Sequence, residues 1–452
     1  MVLPMSTQYT AVRTLLSVVD IVFNNKDRNP QIGRDILVRI LKTLGDKLDA
    51  LHSCRGQVEK LKGHNGLVLH ESTTEGLSDL AILAQLESPV GSDAKESLRD
   101  LKSMVRAIIV GHKTLIWYIN KYRGQREKDK IEAPPLQPGT NEEVSSAMLK
   151  ITHTEQALID RYIRLAFPCI KWLKDENSND TNGANGTKPS ADHFRDALSY
   201  FAAAFTVLDG YDLCRTLGRR LEELIEAVTD DPAAILVPRH LLAANATTSF
   251  EFCTLLLNFL VERMDMLATS VHTGIQFVPP ADSCDVNEAS RLQALMDSHN
   301  SMESKDDMMK RSSAHLQLFE RVLKSLSSFP ENERALRPHL RKIVSKCLQA
   351  SMEKEDFKVD NHCMLLRYIF RSISAGKFEE SYRELLPLIP TVLNGLFRIF
   401  RATDDPFLHH TIIELLLTIP ARLSSLLPHM NILLRVIISA LESQSGDLVN
   451  LG

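Results

Sequence analysis

The stretch LLPLIPTVLNGLFRIF, residues Leu385 to Phe400, is matched 41 positions on by LLPHMNILLRVIISAL, residues Leu426 to Leu441. Both carry a proline at the third place, Pro387 and Pro428, and an earlier stretch around Pro338 follows the same pattern. Five, six, nine and ten residues after each proline stand Ile343, Val344, Cys347 and Leu348; Val392, Leu393, Leu396 and Phe397; and Leu433, Leu434, Ile437 and Ile438. All are apolar, and the spacing traces one face of an α-helix. A proline is expected in the first turn of each helix, where its missing N–H has no intrahelical partner.

Pro338 and Pro387 lie 49 positions apart, and Pro387 and Pro428 lie 41 apart. These intervals bracket the roughly 40 to 47 residues of HEAT and armadillo units. A second apolar stripe falls between the origins: Leu365, Leu366, Ile369, Phe370 and Ile373 in one interval, Ile412, Ile413, Leu416 and Leu417 in the next. Each unit therefore holds two helices. One helix pair cannot cover its own apolar face, so units stack and shield one another. The expected fold is all-α, an α-solenoid of HEAT-like helical hairpin repeats with disordered loops between helices. The closing SGDLVNLG follows a fresh apolar pattern, so the chain is expected to stop inside a repeat.

Further stripes extend the helical reading toward the N-terminus. They run through Ile32, Ile36, Leu37, Ile40, Leu41 and Leu44, then Leu98, Leu101, Val105, Ile108 and Ile109, then Leu213, Leu217, Leu221, Leu224 and Val228. The segment Phe250 to Met266 is apolar nearly all round, as suits a helix covered on both sides. Polar gaps divide the chain into helical repeats over 1–123 with a loop near 64–97, a linker over 124–146, helical repeats over 147–270 with a disordered loop near 175–190, a linker over 271–313, and HEAT-like repeats over 314–452. The third gap, DENSNDTNGANGTKPS, has no large apolar residue to offset its ordering entropy. The second contains Pro135 and Pro138, formally a PxxP ligand, and reads as a stiff surface linker.

The 452 residues are 44% hydrophobic but only 6% aromatic, with 19 Gly and 19 Pro, too few turn formers for a sandwich or barrel. A formal charge of −4 gives no global field toward nucleic acid or an anionic membrane. The most basic stretch, Lys121 to Lys130, is interrupted by acids and lacks stacking aromatics, so it reads as a solvated linker. Seven single cysteines, Cys54, Cys169, Cys214, Cys253, Cys284, Cys347 and Cys363, form no CxxC pair and point to reduced usage. The first residues lack an export-signal pattern, and no uninterrupted apolar run approaches the ~18 to 20 residues of a membrane span. The sequons at Asn179, Asn185 and Asn245 are then expected to be silent.

The sequence contains no phosphate-binding glycine loop, nucleophile elbow or HExxH pattern. His409 and His410 are adjacent and diverge on a helix, and His362 beside Cys363 reads as a half-exposed histidine next to a buried thiol. Asp230–Asp231, Asp306–Asp307 and Asp404–Asp405 read as helix caps or loop charges. The KRSS run at Lys310 to Ser313 matches a basophilic kinase pattern in an expected loop. No catalytic, cofactor or metal residue is expected.

Several stretches together carry a family likeness: VRTLLSVVDIVF from Val12, GRDILVRILKTL from Gly33, MVRAIIVGHKTLIWYI from Met104, SFEFCTLLLNFLVERM from Ser249, and most densely the sequence after Leu365. They resemble the transformation/transcription domain-associated protein family, a branch of the phosphatidylinositol-3-kinase-related kinases. The resemblance implies an internal HEAT segment of a very large nuclear scaffold whose distant kinase-like domain has lost catalytic residues. It also implies partnership with transcription activators and with subunits of SAGA- and NuA4/TIP60-type histone acetyltransferase complexes. No enzyme activity, small-molecule substrate, membrane or direct nucleic-acid partner is expected. A generic transport or phosphatase-regulatory adaptor, or the regulatory arm of an active kinase of that superfamily, are the alternatives.

Overall fold

A computed structural model describes residues 4–25, 30–63, 92–131, 152–173, 190–270, 288–353, 357–358, 360–373, 378–402, 405–419 and 426–442. The fold is all-α, a HEAT-type stack of helical hairpins, as the periodicity implies. One two-residue antiparallel ladder is added, Thr269–Ser270 paired with Phe357–Lys358. The chain forms two compact units, Met1–Ala227 and Val228–Gly452.

The first unit contains α1 (Met5–Asn24), α2 (Pro30–Gly63), α3 (Ser92–Ile131), α4 (His153–Ile170), α5 (Ser190–Ala203) and α6 (Gly210–Gly218), followed by α7 (Leu221–Asp230) at its border. α3 packs on α1, α2 and α5, and α2 also packs on α4. α1 and α3 come close at Gly111, where a Cβ would stand 2.5 Å from Leu16 Cδ2 and 3.1 Å from Leu44 Cδ1 of α2, so these leucine side chains would have to shift. An aromatic cluster fills the center: Tyr162 of α4 stacks on His112 of α3 and tilts against Phe201 of α5. α4 begins with a capping box, in which Thr152 accepts from Glu155 N and Glu155 accepts from Thr152 N. The Glu155 carboxylate is also held by the guanidinium of Arg34 on α2, at 2.8 Å from Nε and 2.7 Å from Nη2.

The second unit contains α8 (Leu236–Leu242), α9 (Ala246–Glu262), α10 (Glu288–Ser328), α11 (Glu333–Glu353), α12 (Asp360–Ile373), α13 (Glu379–Leu385), α14 (Ile389–Ala402), α15 (Pro406–Thr418) and α16 (Met430–Leu441). They form two layers. α10 packs on α12 and α12 on α15, while α9 packs on α11, α11 on α14 and α14 on α16. The second stripe of the repeat is the core face of α12, with Leu365, Leu366, Ile369, Phe370 and Ile373 all buried. Ion pairs bind neighbouring units in register: Arg337–Glu380 and Arg371–Glu414 each join residues 43 positions apart. That separation falls within the roughly 40 to 47 residues of one HEAT unit. Glu333 also accepts from the N–H and hydroxyl of Ser381 across the same junction.

The prolines do not all open helices. Pro338 lies inside α11, whereas Pro387 and Pro428 sit in one-turn 3-10 segments, Leu386–Leu388 and Leu427–His429, leading into α14 and α16. The turn at Pro387 directly follows α13, so this proline marks a joint in a rod. The ring removes one i−4 hydrogen bond and the chain tightens locally. The rod Glu379–Ala402 is long and apolar enough to cross a membrane by length and composition. Its apolar side chains Val392, Leu393, Leu396 and Ile399 are buried within the repeat stack.

Three polar segments are more helical than their composition implies. α3 begins at Ser92 inside the expected 64–97 loop and runs to Ile131 inside the expected 124–146 linker, and α10 starts at Glu288 within the expected 271–313 linker. Gln125, Arg126, Glu127 and Lys128 are strong helix formers, and Lys310 pairs with Asp306 one turn earlier at 2.9 Å. A polar composition does not by itself argue against a helix. The 175–190 loop apart from Ser190, the Pro135–Pro138 motif and the SGDLVNLG end lie outside the described residues.

Candidate interaction surface

The sequence-level candidates for chemistry resolve into structural roles. Asp231 accepts from Ala233 N at a 3-10 turn, and Asp405 caps α15 by accepting from Phe407 N. Asp306 lies within α10 and pairs with Lys310, so it belongs to a helix face and not to a loop. Asn245 of the third sequon caps α9 by accepting from Thr248 N. Among the described residues no group of three or more His, Cys, Asp or Glu side chains could hold a metal. Asp404, Cys284, Asn179 and Asn185 lie outside the described residues.

Two readings need correction. The KRSS run is helical, and its Ser312 is fully buried, donating to the Leu267 carbonyl at 2.8 Å and accepting from Asn361 Nδ2. A kinase could reach that hydroxyl only after local unfolding, whereas Ser313 of the same run is exposed on the helix surface. His362 is buried rather than half-exposed, because it lies on the core-facing side of α12 with Leu365 and Leu366. The neighbouring Cys363 thiol is pushed up to about 12 by burial, which leaves it protonated and unreactive. His409 sits against Phe400, with Nε2 2.9 Å from the Phe400 carbonyl.

Burial also holds three histidines neutral, lowering His112, His315 and His362 to about 4. Nδ1 of His112 lies 2.8 Å from the Ile108 carbonyl, so that nitrogen carries its single proton. The unfolded chain binds protons near the ordinary value of about 6.5, and the folded chain only near 4. Stability is therefore complete above about 6.5 and is lost as pH falls toward 4. Thermal melts across that window should show a falling transition temperature, and His112→Gln should flatten the fall in the first unit. A flat profile for the parent protein would show these histidines to be solvated.

A surface depression lies along α14 and toward α16. Asn394, Phe397, Arg398, Arg401 and Ala402 line a cavity of about 650 Å³. A second, of about 400 Å³, adjoins it and is lined by Phe397, Phe400, Arg401, Arg435 and Ile438. Phe397 and Arg401 belong to both. The repeat positions explain the lining: Asn394 and Arg435 stand seven residues after Pro387 and Pro428, and Phe397 and Ile438 stand ten after. The packing of α14 on α16 thus brings the equivalent positions Phe397 and Ile438 to one cavity. Arg401, Arg398 and Arg435 are exposed at the rim, with the Arg401 guanidinium 6.0 Å from the center of the Phe397 ring. The stripe reading contained Phe397 and Ile438 but assigned them to the core. Phe397 is half-buried and Ile438 is exposed. The available sequence signal was the charge: α14 and α16 contain arginines and no acidic residue.

Comparison with known proteins places this surface in a family context. Transcription-associated protein 1 of Drosophila melanogaster is 26% identical over 467 residues, covering 100% of this chain and 11% of the relative. The human transformation/transcription domain-associated protein is 26% identical over 489 residues, again covering 100% and 11%. The Schizosaccharomyces pombe protein named SAGA complex/NuA4 acetyltransferase complex subunit Tra1 is 38% identical over 133 residues, 29% of this chain and 4% of the relative. The chain thus spans about a tenth of the length of the Drosophila melanogaster and human relatives. A family described as the Tra1 HEAT repeat central region matches residues 1–452, leaving no kinase domain within the chain. The chain belongs to that Tra1 family, as its HEAT-repeat central region.

Proposed function

We propose that this chain is a non-catalytic scaffold segment of a transcription coactivator subunit that serves histone acetyltransferase complexes of the SAGA and NuA4 type in the nucleus. The observation that carries the reading is the family match along all 452 residues, joined to the complex named for the S. pombe relative. The chemistry agrees with a scaffold: His112, His315, His362 and the Cys363 thiol are buried, and carboxylates described above serve as caps and inter-repeat ion pairs. Stacked hairpins instead present a long surface with grooves between neighbouring helices, suited to holding protein partners. Transcription activators and other subunits of the complex are the proposed partners, and the kinase-like domain of the whole protein is proposed to be inactive.

The test is mass spectrometry of the endogenous protein immunopurified with an antibody against residues 314–452. Acetyltransferase and adaptor subunits are expected in the precipitate. A precipitate of trafficking or phosphatase subunits instead would replace the coactivator reading with a generic HEAT adaptor.

A further inference from the structure

We infer that Ser313 of α10 is a phosphate-acceptor site for a basophilic serine kinase, presented to it by local opening of the helix. The KRSS run sets Lys310 and Arg311 three and two residues before the Ser313 hydroxyl. A kinase with an acidic substrate cleft reads two such cations through charge-assisted contacts, and the small, neutral Ala314 follows the acceptor. Lys310, Arg311 and Ser313 are all exposed. Ser313 Oγ accepts from Gln317 Nε2 at 3.2 Å on the solvent side of the helix. Ser312 does not compete as acceptor. Its hydroxyl is buried between the Leu267 carbonyl and Asn361, and its cations stand one residue too close. The inference is independent of the scaffold reading.

A kinase cleft takes its substrate extended, whereas α10 holds this run as a helix, so a turn must open first. The setting makes that a local event. Asp306 to Arg311 are six successive exposed residues, about 1.7 turns of helix with solvent on every side. Such a stretch gains little from packing and depends on its own propensity and on pairs such as Asp306–Lys310 at 2.9 Å. Burial begins at Ser312, Ala314 and His315. Ser312 is the clasp between the two halves of α10: it donates to the Leu267 carbonyl at 2.8 Å and accepts from Asn361 Nδ2 at 2.6 Å. Opening as far as Ala314 releases those two bonds and leaves the packed half, with Leu318, Phe319, Val322, Leu323 and Leu326 buried, in place. Phosphoryl transfer from ATP then forms the Oγ–P bond and breaks the bond from the γ-phosphorus to the ADP oxygen, and the hydroxyl proton passes to the kinase's base. The product carries close to two negative charges inside a helix and draws Lys310 away from Asp306. A phosphate is better placed at a helix N-terminus, where free N–H groups point at it. Phosphorylated Ser313 therefore favours a helix that starts at Ala314, and the polar half loosens.

The test uses the 452-residue chain with Mg-ATP and the catalytic subunit of a cyclic-AMP-dependent kinase. Peptide mapping by mass spectrometry is expected to place phosphate on Ser313 and not on Ser312. Arg311→Ala, at an exposed position, should slow modification of Ser313 at least ~10-fold through loss of a charged contact. Ser312→Ala removes the clasp without touching the acceptor or its cations. It should speed modification on the order of 5-fold, the effect of about one net hydrogen bond on the opening equilibrium. Circular dichroism melts check that both variants fold; if Ser312→Ala does not, Asn361→Ala breaks the same clasp from its half-buried side. Amide hydrogen exchange should quicken over Asp306–Arg311 in the phosphorylated chain and stay unchanged over Leu318–Leu326. Phosphate on Ser312, modification of Ser313 only in heat-unfolded chain, or a rate that loss of the clasp lowers or leaves unchanged overturns the inference. So does parental exchange over Asp306–Arg311 once Ser313 is fully modified.

Discussion

Leu393→Ala will lower the unfolding free energy of the second unit by about 2 to 5 kcal/mol, while Leu434→Ala will leave it within about 0.5 kcal/mol. The two leucines occupy the same place in consecutive repeats, six residues after Pro387 and Pro428. Their environments differ. Leu393 is 0% exposed in α14, between α11 and α16, whereas Leu434 in α16 is 47% exposed. Removing buried methyl groups costs transfer free energy plus the cavity that the neighbours cannot close, whereas an exposed side chain loses neither. Urea titration followed by hydrogen exchange in α14 is the measurement. Equal losses at the two positions would mean that the outer face of α16 is covered in solution, and the burial contrast would then be wrong.

That contrast also marks how far the sequence could be read. Local periodicity identified the five apolar stripe residues of α12 but not His362 on the same face, because a helix that packs on one side repeats its apolar positions regardless of what it packs against. It could not tell Leu393 from Leu434, whose difference lies in the neighbours each helix has. The polar first half of α10 escaped for the opposite reason. Residues Glu288 to Ser313 lack a dense apolar stripe, yet their helix formers and their (i, i+4) charge pair sustain a helix. The candidate groove was harder still. Arg401 and Arg435 are separate exposed arginines in the sequence, and only the lateral packing of α14 on α16 makes them one rim.

The buried ion pair of the first unit shows the same limit and supports the other large effect. Thr152 and Glu155 have capping-box spacing, but nothing local predicts Arg34, 121 positions away, as the second partner of Glu155. The side chains of Arg34 and Glu155 are only 8% and 3% exposed, so solvent cannot replace a missing partner. Glu155→Ala should cost about 3 to 5 kcal/mol, because it strands a buried guanidinium and removes half of the capping box. Arg34→Ala should cost less. The carboxylate it leaves behind still accepts from Thr152 N at 3.0 Å and sits at the N-terminus of α4, where the helix dipole favours negative charge. Arg34→Met combined with Glu155→Leu should recover most of the loss, since two apolar groups of similar volume avoid the desolvation penalty of both ions. A residue of about 1 kcal/mol should persist, the worth of the lost cap. Thermal and urea unfolding of the three variants measure the cycle. Single substitutions costing under about 1 kcal/mol would place the pair in the class of solvated surface bridges, and a double variant no better than Glu155→Ala would show that the pair contributes net stability beyond the burial of its parts.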